Sequence, residues 1–153
     1  MYLVSFGISI AKFLCYRLPS ITIPNNIKSI GERAFFHCES LTEIIISNNV
    51  ETIGAYAFDN CQLLEKVQLS ETLTTIGDHT FYDCFSLSSI TIQSGVTSIG
   101  SYAFYGCENL VEVVNNSDLE LTIGTTEHGF VAYYALELNN KGVITYKNNS
   151  EKY

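Results

Sequence analysis

The five cysteines, Cys15, Cys38, Cys61, Cys84 and Cys107, follow one another at a constant step of 23 residues. A step held that strictly means one structural unit repeated, and such units bury their apolar side only against copies of themselves. Other columns keep the same step. Leu18, Leu41, Leu64, Leu87 and Leu110 form one, and Ile21, Ile44, Val67, Ile90 and Val113 another. Further columns are Ile30, Ile53, Ile76, Ile99; Gly31, Gly54, Gly77, Gly100; and Phe35, Phe58, Phe81, Phe104. The consensus is L-x-x-I-x-I-x-x-x-V-x-x-I-G-x-x-A-F-x-x-C-x-x, with Thr80 standing once in the alanine column.

This pattern reads directly as local structure. L-x-x-I-x-I alternates as a short strand with one buried side does. Pro24, Asn25-Asn26, Asn48-Asn49 and Ser94-Gly95 supply the turn that must follow. The glycine column marks either an unusual conformation or a close approach that a Cβ would obstruct. The A-F-x-x-C phrase is expected to bring the chain back as a helical turn or two. The fold class is therefore an α/β repeat. It is a solenoid with a short-stranded parallel sheet on one face and helical or 3₁₀ turns on the other.

The 23-residue unit with I-G-x-x-A-F-x-x-C resembles the BspA-type leucine-rich repeat. The resemblance implies a leucine-rich-repeat solenoid and a non-enzymatic surface or secreted recognition protein. It places the chain outside the cell or at its surface. Its natural ligand would be a protein or glycoprotein.

Domain boundaries follow from where the step holds. Residues 1–17 align Val4, Ala11 and Cys15 with a degenerate or capping coil, with a signal peptide as the competing reading. Residues 18–114 hold four repeats and the first strand of a fifth. Residues 115–146 are expected to form a C-terminal cap and 147–153 a loose tail. Within the cap, Leu119–Ile123 alternates like one more strand. Glu127–Leu138 has the spacing of a short amphipathic helix, and Asn139-Asn140-Lys141-Gly142 marks a turn before Val143–Tyr146.

Chemistry is hard to place on such an array. Equivalent cysteines on stacked coils form a line, whereas zinc needs four ligands converging on one point. Cys38, Cys61, Cys84 and Cys107 each follow a core phenylalanine by three residues, so burial as a small hydrophobe is the expected role. Disulfides between adjacent coils are sterically conceivable. His37, His79 and His128 share no column with one another or with a nucleophile, and no catalytic motif occurs. No catalytic residue, metal or cofactor is assigned, and the expectation is a protein that is not an enzyme.

Binding is the better prospect, and two faces compete for it. The outward strand positions give Ser20, Glu43, Lys66, Ser89, Glu112 in one row and Thr22, Ile45, Gln68, Thr91, Val114 in the next. The outer side carries Arg33, Tyr56, His79 and Tyr102 five residues before a cysteine, and Phe36, Tyr82 and Tyr105 two before. Asp59 interrupts that last row. These rings either form a contact surface or lie flat over the turns and bury themselves. With 8 basic against 16 acidic residues the net charge is −8, which argues against nucleic acid. The longest apolar stretch is too short to span a bilayer. A monomer and end-to-end association are both compatible with the pattern. Asn115-Asn116-Ser117 and Asn148-Asn149-Ser150 match N-glycosylation acceptors.

Overall fold

The computed structural model describes residues 17–126 and 128–147. The expected degenerate first coil, with Cys15, therefore lies outside the described residues. Among the described residues eleven short strands run in order. They are β1 (Ser20–Ile23), β2 (Ser29–Ile30), β3 (Glu43–Ile46), β4 (Thr52–Ile53), β5 (Lys66–Gln68), β6 (Thr75–Ile76), β7 (Ser89–Ile92), β8 (Ser98–Ile99), β9 (Glu112–Asn115), β10 (Glu137–Asn140) and β11 (Val143–Tyr146).

The 23-residue step is also the pairing register. Ser20 pairs with Glu43 and Glu43 with Lys66, all in parallel. Ser89 pairs with Glu112 in the same sense. The isoleucines of the short strands line up as Ile30, Ile53, Ile76 and Ile99 in a second parallel sheet, β2-β4-β6-β8. On the principal side, β1-β3-β5 form one sheet and β7-β9-β10-β11 another.

Between these sheets and the outer turns lies a single apolar core. Phe58, Phe81 and Phe104 are fully buried, and Phe35 nearly so. Their rings stack coil on coil with centroids 5.1, 5.3 and 5.2 Å apart. Thr80 fits the alanine column because its hydroxyl donates to Gly77 O at 2.8 Å and Gly54 O at 3.2 Å. The glycine column is explained by close approach. A Cβ on Gly54 would stand 2.7 Å from Glu32 N, and one on Gly77 would stand 2.7 Å from Ala55 N.

The expected helical face is not there. The outer segments are successive tight turns, and the molecule is a β-solenoid of about five coils. Two left-handed residues per coil break any helix. Arg33, Tyr56, His79 and Tyr102 have φ between 53° and 58°, and His37, Asn60 and Asp83 between 53° and 60°. This geometry turns alternate N–H groups toward the next coil. Arg33, Phe35 and His37 donate to Ala55, Ala57 and Asp59 at 3.0, 2.7 and 2.9 Å. Their neighbours Ala34, Phe36 and Cys38 donate back within the coil to Gly31, Arg33 and Phe35. Both kinds of N–H are thus satisfied without a helix, as buried backbone requires.

The C-terminal region differs from expectation in two ways. Leu119–Ile123 is not a strand; Leu121 is buried and the segment packs as irregular chain. The segment expected as a helix holds only a 3₁₀ turn, His128–Phe130, whose residues all have positive φ, then further turns, then β10. β10 takes the next strand position, pairing in parallel with β9 through Leu138 and Val113. β11 folds back antiparallel through a turn at Lys141-Gly142, shorter than the four residues expected.

Candidate functional site

The strand face is built by register. Because each coil offers two outward positions, the pairing sets Glu43 beside Lys66 and Ile45 beside Gln68 on β3 and β5. It likewise sets Ser89 beside Glu112 and Thr91 beside Val114 on β7 and β9. β10 extends both rows with Glu137 and Asn139. Lys66, Gln68, Ser89 and Glu112 are exposed, while Glu43, Ile45 and Thr91 are half-buried. The described ion pairs are Arg33–Glu32, His37–Glu39 and Lys141–Asp118, so Glu43 and Lys66 are register neighbours without being an ion pair. Thr22, Ile45 and Gln68 of the second row, together with Pro24, Asn25 and Asn48, line a shallow depression.

The outer aromatics are arranged differently from either expectation. They neither stand free nor lie flat; they stack on one another along the array. Tyr56 lies over His79 at 4.7 Å and 15°, and His79 over Tyr102 at 5.3 Å and 27°. The Arg33 guanidinium covers Tyr56 at 4.7 Å, and Phe130 continues the column beyond Tyr102 at 5.4 Å. A second column pairs Tyr82 with Tyr105 at 5.2 Å. Stacked rings give their faces to one another and present edges to solvent. Phe130 was not legible as part of this column, because it follows Tyr102 by 28 residues and so lies off the 23-residue step.

Two buried polar groups belong to this outer side. Burial pushes the Asp59 carboxyl up, while a 2.7 Å hydrogen bond from Asn60 and the charges of His37, His79 and Arg33 pull it down. His79 Nδ1 is buried and has no hydrogen-bond partner among the described residues.

The cysteine column is interior. Cys61, Cys84 and Cys107 are buried free thiols. Their Sγ–H groups donate to Phe35 O, Phe58 O and Phe81 O at 3.2, 3.2 and 3.1 Å. Burial pushes the Cys61 thiol up to about 12. Cys38 is buried too but is disulfide-bonded, so it stands apart from this thiol column.

At the C-terminal end Asn115 sits in a column that elsewhere is apolar, yet it is buried. Its Nδ2 donates to Leu119 O and Asn140 Oδ1, both at 2.8 Å, and its Oδ1 accepts from Ser117 N–H and Oγ–H. The Asn115 amide of the first glycosylation motif is thus enclosed in the folded chain. Asn148 lies outside the described residues.

Register, buried ladders and coil-on-coil stacking together define a leucine-rich-repeat solenoid. The chain belongs to the BspA-type leucine-rich repeat family, whose model matches residues 8–126 in six copies. A leucine-rich cell surface protein from Faecalibacterium prausnitzii is similar at 29% identity and a TM-score of 0.69, over 82% of this chain and 32% of that one. A leucine-rich repeat protein from Bacteroides ovatus is 38% identical with a TM-score of 0.55, over 65% of this chain and 26% of that one. The pneumococcal vaccine antigen PcpA shares the fold at 22% identity and a TM-score of 0.68, over 78% of this chain and 29% of its own. The chain thus spans about a third or less of the length of these structures. Comparison with curated proteins gave no match. No described helix is long and apolar enough to cross a membrane.

Proposed function

We propose that the chain is a non-enzymatic recognition module that binds a protein or glycoprotein through its strand face, at a cell surface. One observation carries this reading. The outward side chains of Glu43, Lys66 and Gln68 on β3–β5, and of Ser89, Thr91 and Glu112 on β7–β9, sit at paired register positions and make no hydrogen bond or ion pair among the described residues. Those groups are available to a ligand, whereas the outer rings Tyr56, His79, Tyr102, Tyr82 and Tyr105 have already spent their faces on each other. The shared repeat with a leucine-rich cell surface protein supports the location. Binding energy would be spread over many modest contacts, because the face has only shallow relief. The net charge of −8 favours neutral or basic partners over nucleic acid.

The test is a screen of the purified chain at physiological salt against matrix glycoproteins, mucin glycans and basic proteins. A saturable hit weakened by Glu43→Ala/Gln68→Ala supports the reading, and a folded chain with no hit on any class counts against it. A second reading, a spacer within a longer solenoid, rests on the coil-on-coil register alone, which can propagate through any number of repeats. It expects no hit at all.

A further inference from the structure

Among the described residues the sheet ends on β11, and the outer edge of that strand matches itself. Lys141 and Gly142 have φ of 49° and 88°, the two-residue turn that makes Asn140–Val143 the hydrogen-bonded closing pair of the hairpin. Lys147 N–H donates to Leu136 O at 2.9 Å, the same parity one end further on. Hydrogen-bonded pairs alternate along an antiparallel ladder, so Val143, Thr145 and Lys147 turn their backbone groups to β10. Ile144 and Tyr146 then turn theirs to the open side. Val143, Ile144 and Tyr146 are 69%, 49% and 65% exposed. The strand holds no proline, no bulge and no charge, the devices that protect an edge.

We infer that β11 pairs antiparallel with β11 of a second copy of this chain, about a two-fold axis at Thr145. Only registers that set residues of like parity opposite one another keep both cores on the same side. The register centred on Thr145 sets Ile144 against Tyr146 of the copy and Tyr146 against its Ile144. Those are the residues whose N–H and C=O face outward, so four backbone hydrogen bonds close the seam. Thr145 meets its own copy in the narrow, non-hydrogen-bonded position between them. Aromatic against β-branched and threonine against threonine are both favourable cross-strand pairs. The contact uses the same patch on both partners and closes after two copies. It is independent of the recognition reading, and it joins the β7-β9-β10-β11 sheets of the two copies into one.

The experiment uses the whole 153-residue chain and needs no ligand. Under mild oxidation Thr145→Cys is expected to give a covalent dimer. Val143→Cys, whose copy lies four positions away, should cross-link no more than the unsubstituted chain. Sedimentation over a concentration series should show the unsubstituted chain passing from monomer to dimer. Thr145→Lys, which sets like charges face to face, should weaken that dimer by about tenfold or more. If Thr145→Lys fails to fold, the two cysteine variants decide. A chain that stays monomeric throughout the series overturns the inference, as does cross-linking at Val143→Cys equal to that at Thr145→Cys.

Discussion

Asn115 Nδ2 donates to Asn140 Oδ1 at 2.8 Å across the parallel pair β9–β10, at the point where the apolar ladder stops. Asn140 in turn donates to Leu121 O at 3.2 Å, so two amides tie down the irregular chain between the strands. Asn115→Leu keeps the volume but orphans Ser117 and Leu119, and should cost about 1–3 kcal/mol. A shift in the denaturation midpoint at constant slope checks it.

The same enclosure has a second consequence. Asn115-Asn116-Ser117 should accept no glycan when the folded, unglycosylated chain is offered to a glycosylating enzyme, since Asn115 is 2% exposed and its amide is engaged. Peptide mass spectrometry decides the matter, and a sugar on Asn115 would mean that this end opens.

Core truncation is expected to be costly at Phe81. It is fully buried and stacked on both sides, against Phe58 and Phe104. Phe81→Ala should lose about 3–5 kcal/mol. Gly77→Ala adds an atom 2.7 Å from Ala55 N and 2.9 Å from Ile53 O, both backbone atoms that cannot swing aside. A loss of about 1–3 kcal/mol is expected there. Equilibrium unfolding measures both.

The thiol column makes stability depend on alkaline pH. Below pH 9 Cys61 stays protonated whether folded or unfolded. Between the ordinary value of 9.0 and the folded value of about 12, only the unfolded chain releases the proton. Stability therefore falls as pH rises through that window, by at most about 1.4 kcal/mol per unit for this group. Thiol reagents near neutral pH should label Cys61, Cys84 and Cys107 only after denaturation.

Much of the architecture was legible because every interior column repeats. The phenylalanine, leucine, isoleucine and glycine columns became stacked rings, ladders and close contacts at the residues named. The outer face was misread because A-F-x-x-C also has helical spacing. A signal against helix was present: the residues before Cys38, Cys61, Cys84 and Cys107 are His37, Asn60, Asp83 and Gly106, all types that tolerate positive φ. The column at Arg33, Tyr56, His79 and Tyr102 carried such a signal only at His79, since left-handed backbone is costly for arginine and tyrosine. There stacking and inter-coil hydrogen bonds, which are tertiary, offset the strain. β10 was hidden for a related reason, because its partner position on β9 is an asparagine whose satisfaction depends on Asn140.

The two faces should separate on stability before any ligand is added. Tyr56→Ala/Tyr102→Ala removes rings that pack on His79, and each stacked contact is worth about 0.5–1.5 kcal/mol beyond the area lost. Glu43→Ala/Gln68→Ala alters outward side chains without internal partners and should stay within about 0.5 kcal/mol of the unsubstituted chain. Thermal and denaturant unfolding of the two double variants gives the comparison.

Titrating one saturable ligand against those two variants, under conditions where both are folded, tests the central claim that the strand face does the binding. The expected result is an affinity loss of about tenfold or more for Glu43→Ala/Gln68→Ala and little change for Tyr56→Ala/Tyr102→Ala. The reverse order, or an unchanged affinity in the strand-face variant, would contradict it.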